Sequence, residues 1–428
     1  MALYLGIDIG TSGVRTSVID ADGSEIAAAS VKMPAPDIVN GRPCQDPAIW
    51  WSAASECLRL QQQALEEKGH AMSDIAALSV DGTSGTLLLA DADLNPLTPG
   101  YLYNSGGFHD ESKIIDQVAP PDSIARGPGS GLARMLFLQK LADTSQARCA
   151  LHQADWIAAK LMQQGGYSDE TNALKTGFDV QSRCWPDWIA DTGANLDLLP
   201  EVLPVGEVYG VVDAEVAHVF GLAGDTKVVA GVTDSNAAFL ASGASKVGEG
   251  MTSLGTTLAI KLLSDQAVFD SGRGVYSHRI KDMWLPGGAS NSGGGVLLEY
   301  FTAQQMQQMT PDLKPEVPTG LSYYPLKTKG ERFPVRDPDL PPKLDPRPDV
   351  DVTFFQAMLE GIAEIERLGY EALRQAGAPA VNKIYTAGGG ASNEAWTKIR
   401  ENKLGIEIGR AQSREASTGV ARIAAGLV

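Results

Sequence analysis

A chain of 428 residues exceeds what one ordinary hydrophobic core organises, so two domains are expected. Its 43% hydrophobic and 20% charged residues fit a globular protein in water. With 35 Lys+Arg against 52 Asp+Glu, the formal net charge of −17 repels phosphate backbones and anionic lipid, which argues against nucleic-acid and membrane partners.

The opening MALYLGIDIG is too short and too acidic, with Asp8 inside it, to read as a signal peptide, and no apolar run along the chain reaches membrane-spanning length. Residues 4–20, YLGIDIGTSGVRTSVID, are two apolar β-rich runs around a small polar turn, the pattern of a hairpin, and EIAAASV supplies a third strand. Residues 47–68 carry Trp50, Trp51, Ala54, Cys57, Leu58 and Leu65 at helical spacing. IAALSVDGTSGTLLLAD reads as a second strand-turn-strand unit, and QADWIAAKLM as an amphipathic helix. Residues 226–241, TKVVAGVTDSNAAFLA, read as a strand ending at Asp234 and then a small-residue helix. GEGMTSLGTTLAIKLL repeats the opening pattern about half a chain later, which points to a duplicated domain. Residues 311–350 are Pro-rich and charged but broken by YYPL and RFPV, so they read as a long ordered loop. Residues 352–377 form the clearest helix, with Val352, Phe355, Leu359, Ile362, Leu368 and Leu373 largely on one face. The chain closes on KIYTAGGGASNEAWTKI and a last helix, EASTGVARIAAGLV.

Cys44, Cys57, Cys149 and Cys184 make no CxxC pair and no His cluster completes a zinc site, so they read as reduced thiols of a cytoplasmic protein. His109, His152 and His278 show no ligand spacing.

Three turns have the composition of a nucleotide site. In Asp8-Ile9-Gly10-Thr11-Ser12-Gly13 the glycines permit close backbone approach, Thr11 and Ser12 add hydroxyl donors, and successive N–H groups make a concave anion site. Asp8, at a strand end, suits Mg²⁺ held through water, since that ion takes one or two carboxylates beside phosphate oxygens. Ser253-Leu254-Gly255-Thr256-Thr257 has the same chemistry in the second half, so the pair can grip a triphosphate. Gly388-Gly389-Gly390-Ala391-Ser392-Asn393, between a strand and a helix start, leaves room for an adenine ring and offers unpaired N–H groups. An ordinary Gly-rich hairpin or connection would look the same at any one of the three. No Walker A sequence is present.

In order along the chain, DIGTSGVR, NALKTGFDVQSRCW, GVTDS, SLGTT, GGASNSGGG, YYPLKTKGERFP, AMLEGIAEIERLGYEAL and TAGGGASN resemble the motifs of the FGGY carbohydrate kinase family, over nearly the whole length. Two features depart from its glycerol kinases and xylulokinases: LYNSGGFHD stands where those carry an Asp-x-Arg motif, and DGTSG where typical xylulokinases carry a His-containing loop. Both, with the short length, resemble the family's D-ribulose kinases.

The resemblance implies an α/β, duplicated actin/hexokinase-like (ribonuclease H-like) ATPase fold. A sugar-binding lobe over 1–241, with 415–428 packing back on it, would face a nucleotide-binding lobe over 242–414 and close on the ligands. It also implies a kinase using ATP and Mg²⁺ on a ketopentose. In that reading Asp234 is the catalytic base. Asp8, Asp81, Ser84 and Asp234 touch the sugar, and Asp8 holds the metal through water. Thr11, Ser12, Gly13, Gly255, Thr256 and Thr257 hold phosphates, and Gly389, Gly390 and Asn393 border adenosine. By residue type alone, Asp234 equally reads as a helix cap and Ser84 as a local turn hydroxyl. Asn172 and Lys175 divide between substrate contact and surface, and Trp156 reads as core. The rivals are a kinase of D-xylulose, glycerol or another polyol, and a nucleotide-gated binding protein without catalysis.

Overall fold

The computed structural model describes residues 2–141, 143 and 145–428. The chain divides into two compact units. The first runs up to Ala241 and adds His278–Lys281 and Glu415–Val428; the second holds Ser242–Ser277 and Asp282–Arg414.

The first unit is built on a mixed sheet of β1 (Leu3–Ile9), β2 (Gly13–Ile19), β3 (Glu25–Lys32), β4 (Ile75–Gly82), β5 (Val208–Val211) and β6 (Lys227–Thr233), in the order β5-β6-β4-β1-β2-β3. β1 and β2 form the expected antiparallel hairpin, while β1, β4 and β6 run parallel. Parallel strands are covered on both faces, and LYLGIDI and KVVAGVT bury almost every side chain accordingly. Helix α1 (Pro47–Glu66) covers one face; the Asp46 carboxylate accepts the Ala48 N–H and Pro47 starts the helix with a fixed φ. The other face carries α4 (Asp234–Ala241) and the C-terminal helix α7 (Ala416–Ala424). There the backbones nearly touch: a Cβ on Gly6 would overlap the Ser417 carbonyl, and one on Gly419 the Ala237 carbonyl.

IAALSVDGTSGTLLLAD is the expected strand-turn-strand unit, but its second strand, Leu87–Ala90, leaves the main sheet and joins a five-stranded one, pairing with Cys149–His152. One expectation is corrected here. QADWIAAKLM is a helix, α3 (Gln153–Met162), but not an amphipathic one: every residue but Lys160 is buried. It packs against the main sheet on one side and α1 on another, with Trp156 edge-on to Trp50 at 6.2 Å. A helix covered all round needs no polar face.

The second unit repeats the plan. β7 (Glu249–Leu254), β8 (Leu258–Leu262), β9 (Met283–Ala289), β10 (Lys383–Ala387) and β11 (Ile408–Arg410) lie in the order β9-β8-β7-β10-β11. This matches β3-β2-β1-β4-β6 strand for strand, with the same antiparallel hairpin and parallel centre. The chain therefore carries the duplicated ribonuclease H-like fold of actin/hexokinase type. Helix α5 (Asp351–Gln375) buries Phe354, Phe355, Leu359, Ile362 and Leu373 against the sheet. Beneath it Glu366 and Arg400, both fully buried, pair through two bonds of 2.6 and 2.7 Å, and Thr252 and Thr386 complete the network. The loop before α5 has no helix or strand between Asp312 and Asp351, yet it is anchored by buried Phe333 and by Glu331, which accepts from Ser290 and Asn291.

Among the described residues no helix is long and apolar enough to cross a membrane. All four cysteines are unpaired thiols, three of them buried.

Candidate active site

The ends of three neighbouring parallel strands bring three carboxylates together in the first unit. Asp8 lies opposite Asp81 across the β1–β4 ladder, and Val232, two residues before Asp234, lies opposite Asp81 across β4–β6. Asp81 is fully buried, and among the described residues its oxygens receive no N–H or O–H donor. Burial, then the charges of Asp8 and Asp234, push its pKa well above the usual carboxylate range. Neighbouring carboxylates resist ionising together, so Asp8 and Asp234 add to the effect of burial. Asp8 is also raised by burial, against the opposing pull of its contact with Asp81 and of Arg15, whose Nη1 lies 3.2 Å from Oδ2. Arg15 reaches Glu415 as well, at 3.3 Å. Asp234 is half-buried at the first position of α4, where its Oδ1 accepts the Ser235 N–H at 2.7 Å.

The turn after β1 is tight because the Gly10 N–H donates to the Gly13 carbonyl at 3.0 Å. That N–H is unavailable to a ligand. The donors facing outward are the N–H groups and hydroxyls of partly exposed Thr11 and Ser12. Gly13 is a glycine for a different reason than expected: a Cβ there would lie 2.5 Å from the Val31 carbonyl of β3.

The DGTSG loop is pinned from two sides. Gln153 Oε1 accepts the Thr83 N–H at 3.0 Å and its hydroxyl at 2.8 Å, and the Thr83 and Thr86 hydroxyls bond each other at 2.6 Å. Buried Arg134 donates to the Gly85 and Ser105 carbonyls, and burial lowers its pKa to about 10. With both threonines turned inward, Ser84 is the side chain left to line a pocket of about 260 Å³, together with Ser130, Arg126 and Lys175. Lys175 thus joins Ser84, whereas Asn172 is fully buried with its amide on Asp169 at 2.7 Å, so it is neither a surface nor a pocket residue. Neighbouring His152 is buried against Thr176 at 3.0 Å, and burial takes its pKa down to about 3, which keeps it neutral.

In the second unit a larger cavity of about 710 Å³ gathers Gly255, Thr256, Gly389, Gly390 and Asn393 under apolar walls that include Leu297 and Met306. Thr257 does not line it. The β7–β8 turn copies the first: the Gly255 N–H donates to the Thr257 carbonyl at 3.2 Å. Gly389 opens to free space, as room for a flat ring requires, but Gly390 is small because Trp396 and Leu254 occupy the space beside it. Asn393 is largely committed to the protein: Oδ1 accepts the Trp396 N–H at 3.0 Å as a helix cap, and its amide nitrogen lies 3.3 Å from the Thr310 hydroxyl.

Among the described residues no cluster of three or more His, Cys, Asp or Glu forms a metal cage. The hard oxygens of Asp8 and Asp234 suit Mg²⁺ arriving on a nucleotide, which brings most of its own ligands. Arg15, Arg134, Asp169 and Thr171 escaped the sequence reading: Glu415 and Thr233, the partners of Arg15 and Thr171, lie far away in sequence, Arg134 bonds backbone carbonyls, and Asp169 bonds its near neighbours as any helix cap would.

Comparison with known proteins gives one family. Residues 3–241 match the N-terminal domain of the FGGY family of carbohydrate kinases and residues 250–426 its C-terminal domain. The xylulose kinase of Escherichia coli (strain K12) is 27% identical over 295 residues, covering 66% of this chain and 59% of that protein. That of Staphylococcus epidermidis (strain ATCC 35984) is 24% identical over 444 residues, covering 99% and 87%. The crystal structure of a xyloylose kinase from Brucella ovis shares the fold, with a TM-score of 0.88 at 24% identity over 100% of this chain and 91% of that one.

Proposed function

Because the chain belongs to the FGGY family of carbohydrate kinases, we propose that it moves the γ-phosphoryl group of ATP to the terminal hydroxyl of a ketopentose, first of all D-ribulose, yielding D-ribulose 5-phosphate and ADP. The observation that carries this reading is the meeting of Asp8, Asp81 and Asp234 at adjacent strand ends. Asp234 is the only one of the three that is not buried, so it is assigned as the base. It takes the proton of the acceptor hydroxyl as that oxygen bonds phosphorus and the β–γ bridging bond breaks to leave ADP. Asp8 would hold the magnesium that accompanies ATP, and the ion would supply neutralisation of phosphate charge. Thr11, Ser12, Gly13, Gly255, Thr256 and Thr257 are assigned to the phosphates. Gly389, Gly390 and the Asn393 backbone border the adenosine.

Ser84 is assigned to the sugar. The DGTSG and LYNSGGFHD sequences support D-ribulose, while the xylulose kinases among the relatives support D-xylulose as the second reading. The two sugars differ in the orientation of one hydroxyl, which a site that hydrogen-bonds it can separate strongly. ADP release measured with Mg²⁺-ATP across D-ribulose, D-xylulose, glycerol and D-gluconate tests both levels. D-ribulose is expected to give the highest kcat/KM. A clear lead for another sugar would replace the substrate and keep the kinase; no sugar-dependent ADP release would favour the binding-protein reading.

A further inference from the structure

Asp234 sits at the end of β6, and that end lacks a sheet partner on one flank. β5 pairs with β6 only as far as Val229, and the Ala230 N–H is met by the Glu207 carbonyl at 2.8 Å. Farther along, the Thr233 N–H points away from β4 and is met by a side chain: it donates to Thr171 Oγ1 at 2.9 Å. A hydroxyl can rotate, so its use as an acceptor has to be enforced. Here Thr171 Oγ1 gives its own proton to Asp169 Oδ1 at 2.7 Å, which turns a lone pair toward Thr233. Asp169 is itself immobile: Oδ1 also accepts the N–H groups of Thr171 and Asn172, at 2.8 and 3.0 Å, and Oδ2 accepts the Asn172 amide at 2.7 Å. Asn236 holds Thr233 from the other direction, its amide donating to Thr233 Oγ1 at 3.0 Å. Asp169, Thr171, Asn172, Thr233 and Asn236 are all buried to within 1%.

We propose that Asp169 and Thr171 are positioning residues for phosphoryl transfer, a fixed relay that sets the peptide of Thr233 and so aims the carboxylate of Asp234. The proposal rests on the reading of Asp234 as the base. The caps that Asp169 supplies to the short helix Glu170–Ala173 account for its bonds to two N–H groups. They do not account for the Thr171 hydroxyl, whose second bond leaves the helix for the strand that ends at Asp234. A reacting carboxylate needs placement to about half an ångström, and an error near 1 Å can cost about 100-fold in rate.

The test uses the full chain with saturating Mg²⁺-ATP and whichever sugar of the panel turns over fastest. Thr171→Val keeps the shape and removes the acceptor; it is expected to lower kcat roughly 10-fold while the dissociation constant for ATP stays the same. Thr171→Ser, which keeps the hydroxyl, is expected to restore kcat to near the parent value. In an Asp234→Asn background Thr171→Val is expected to cause no further loss, because a relay acts only through the group it aims. Should valine prevent folding, Thr171→Ala reads the same loss without the added methyl. A folded Thr171→Val enzyme with unchanged kcat, or a loss equally large in the Asp234→Asn background, would overturn the relay. An Asp234→Asn enzyme with full activity would instead overturn the base assignment, whatever Thr171 does.

Discussion

Asp8, Asp81 and Asp234 are one residue type with three environments. Asp81 is sealed in the sheet and raised well above the carboxylate range, Asp8 leans on Arg15, and Asp234 is half open at a helix start. The environments, not the residue type, assign the roles. The test at this scale is Asp234 itself. Asparagine caps a helix about as well as aspartate, so a purely structural Asp234 predicts nearly normal turnover in Asp234→Asn. As a base, its loss is expected to lower kcat by roughly 10²–10⁴, with ATP affinity retained because Asp234 is not among the residues assigned to the phosphates or the adenosine. Steady-state kinetics with calorimetric ATP binding separates the two.

Among the elements, the three glycine-bearing turns look alike in composition but their glycines answer to different pressures. Gly13 is fixed by the neighbouring strand, and Gly388 by a φ of +84° and by the Leu254 carbonyl 2.7 Å from where a Cβ would stand. Gly255 has neither constraint: a Cβ there would meet only the Thr257 carbonyl at an ordinary 3.6 Å. The fold therefore tolerates a side chain at Gly255 while the pocket it lines does not. Gly255→Val is expected to keep its melting temperature within a few degrees and to weaken ATP binding by at least about 10-fold, as read by titration calorimetry; a 1.4 kcal/mol change is that size. Unchanged affinity in the folded variant would remove this turn from the phosphate site.

For the whole molecule, the last helix completes the first sheet. α7 lies on β1 and α4 through contacts that only glycine allows, and Ser417 bonds Ser17 at 2.8 Å across nearly the full length of the chain. The first unit is thus closed by a helix that lies 400 residues along the chain from the strand it bonds. Gly419→Val, which drives a side chain into the Ala237 backbone, is expected to lower the stability of the first unit by about 3 kcal/mol. Gly224→Ala, where a Cβ meets open space, is the near-neutral control. Urea unfolding followed by tryptophan fluorescence checks the pair: equal midpoints would show that this packing is not what holds the unit together.

Periodicity and turn chemistry made the strands and most helices legible. The GVTDS strand end, the Gly/Thr turns and the half-chain repeat all depend on neighbours in sequence, and local steric rules act at that range. Some features were out of reach because they depend on residues distant in sequence but adjacent in space. Nothing local tells that Leu87–Ala90 changes sheets, or that QADWIAAKLM is covered on every side. The raised pKa of Asp81 exists only because three strands set three carboxylates side by side in a buried place. The Thr171 hydroxyl means nothing in SDETNAL until β6 arrives 62 residues later with an N–H that lacks a partner. The sequence alone determined the family pattern and the residues able to do the chemistry. Tertiary structure alone decided their burial, their hydrogen-bond partners and which glycines are structural, because desolvation and hydrogen-bond direction are set by what packs around a group.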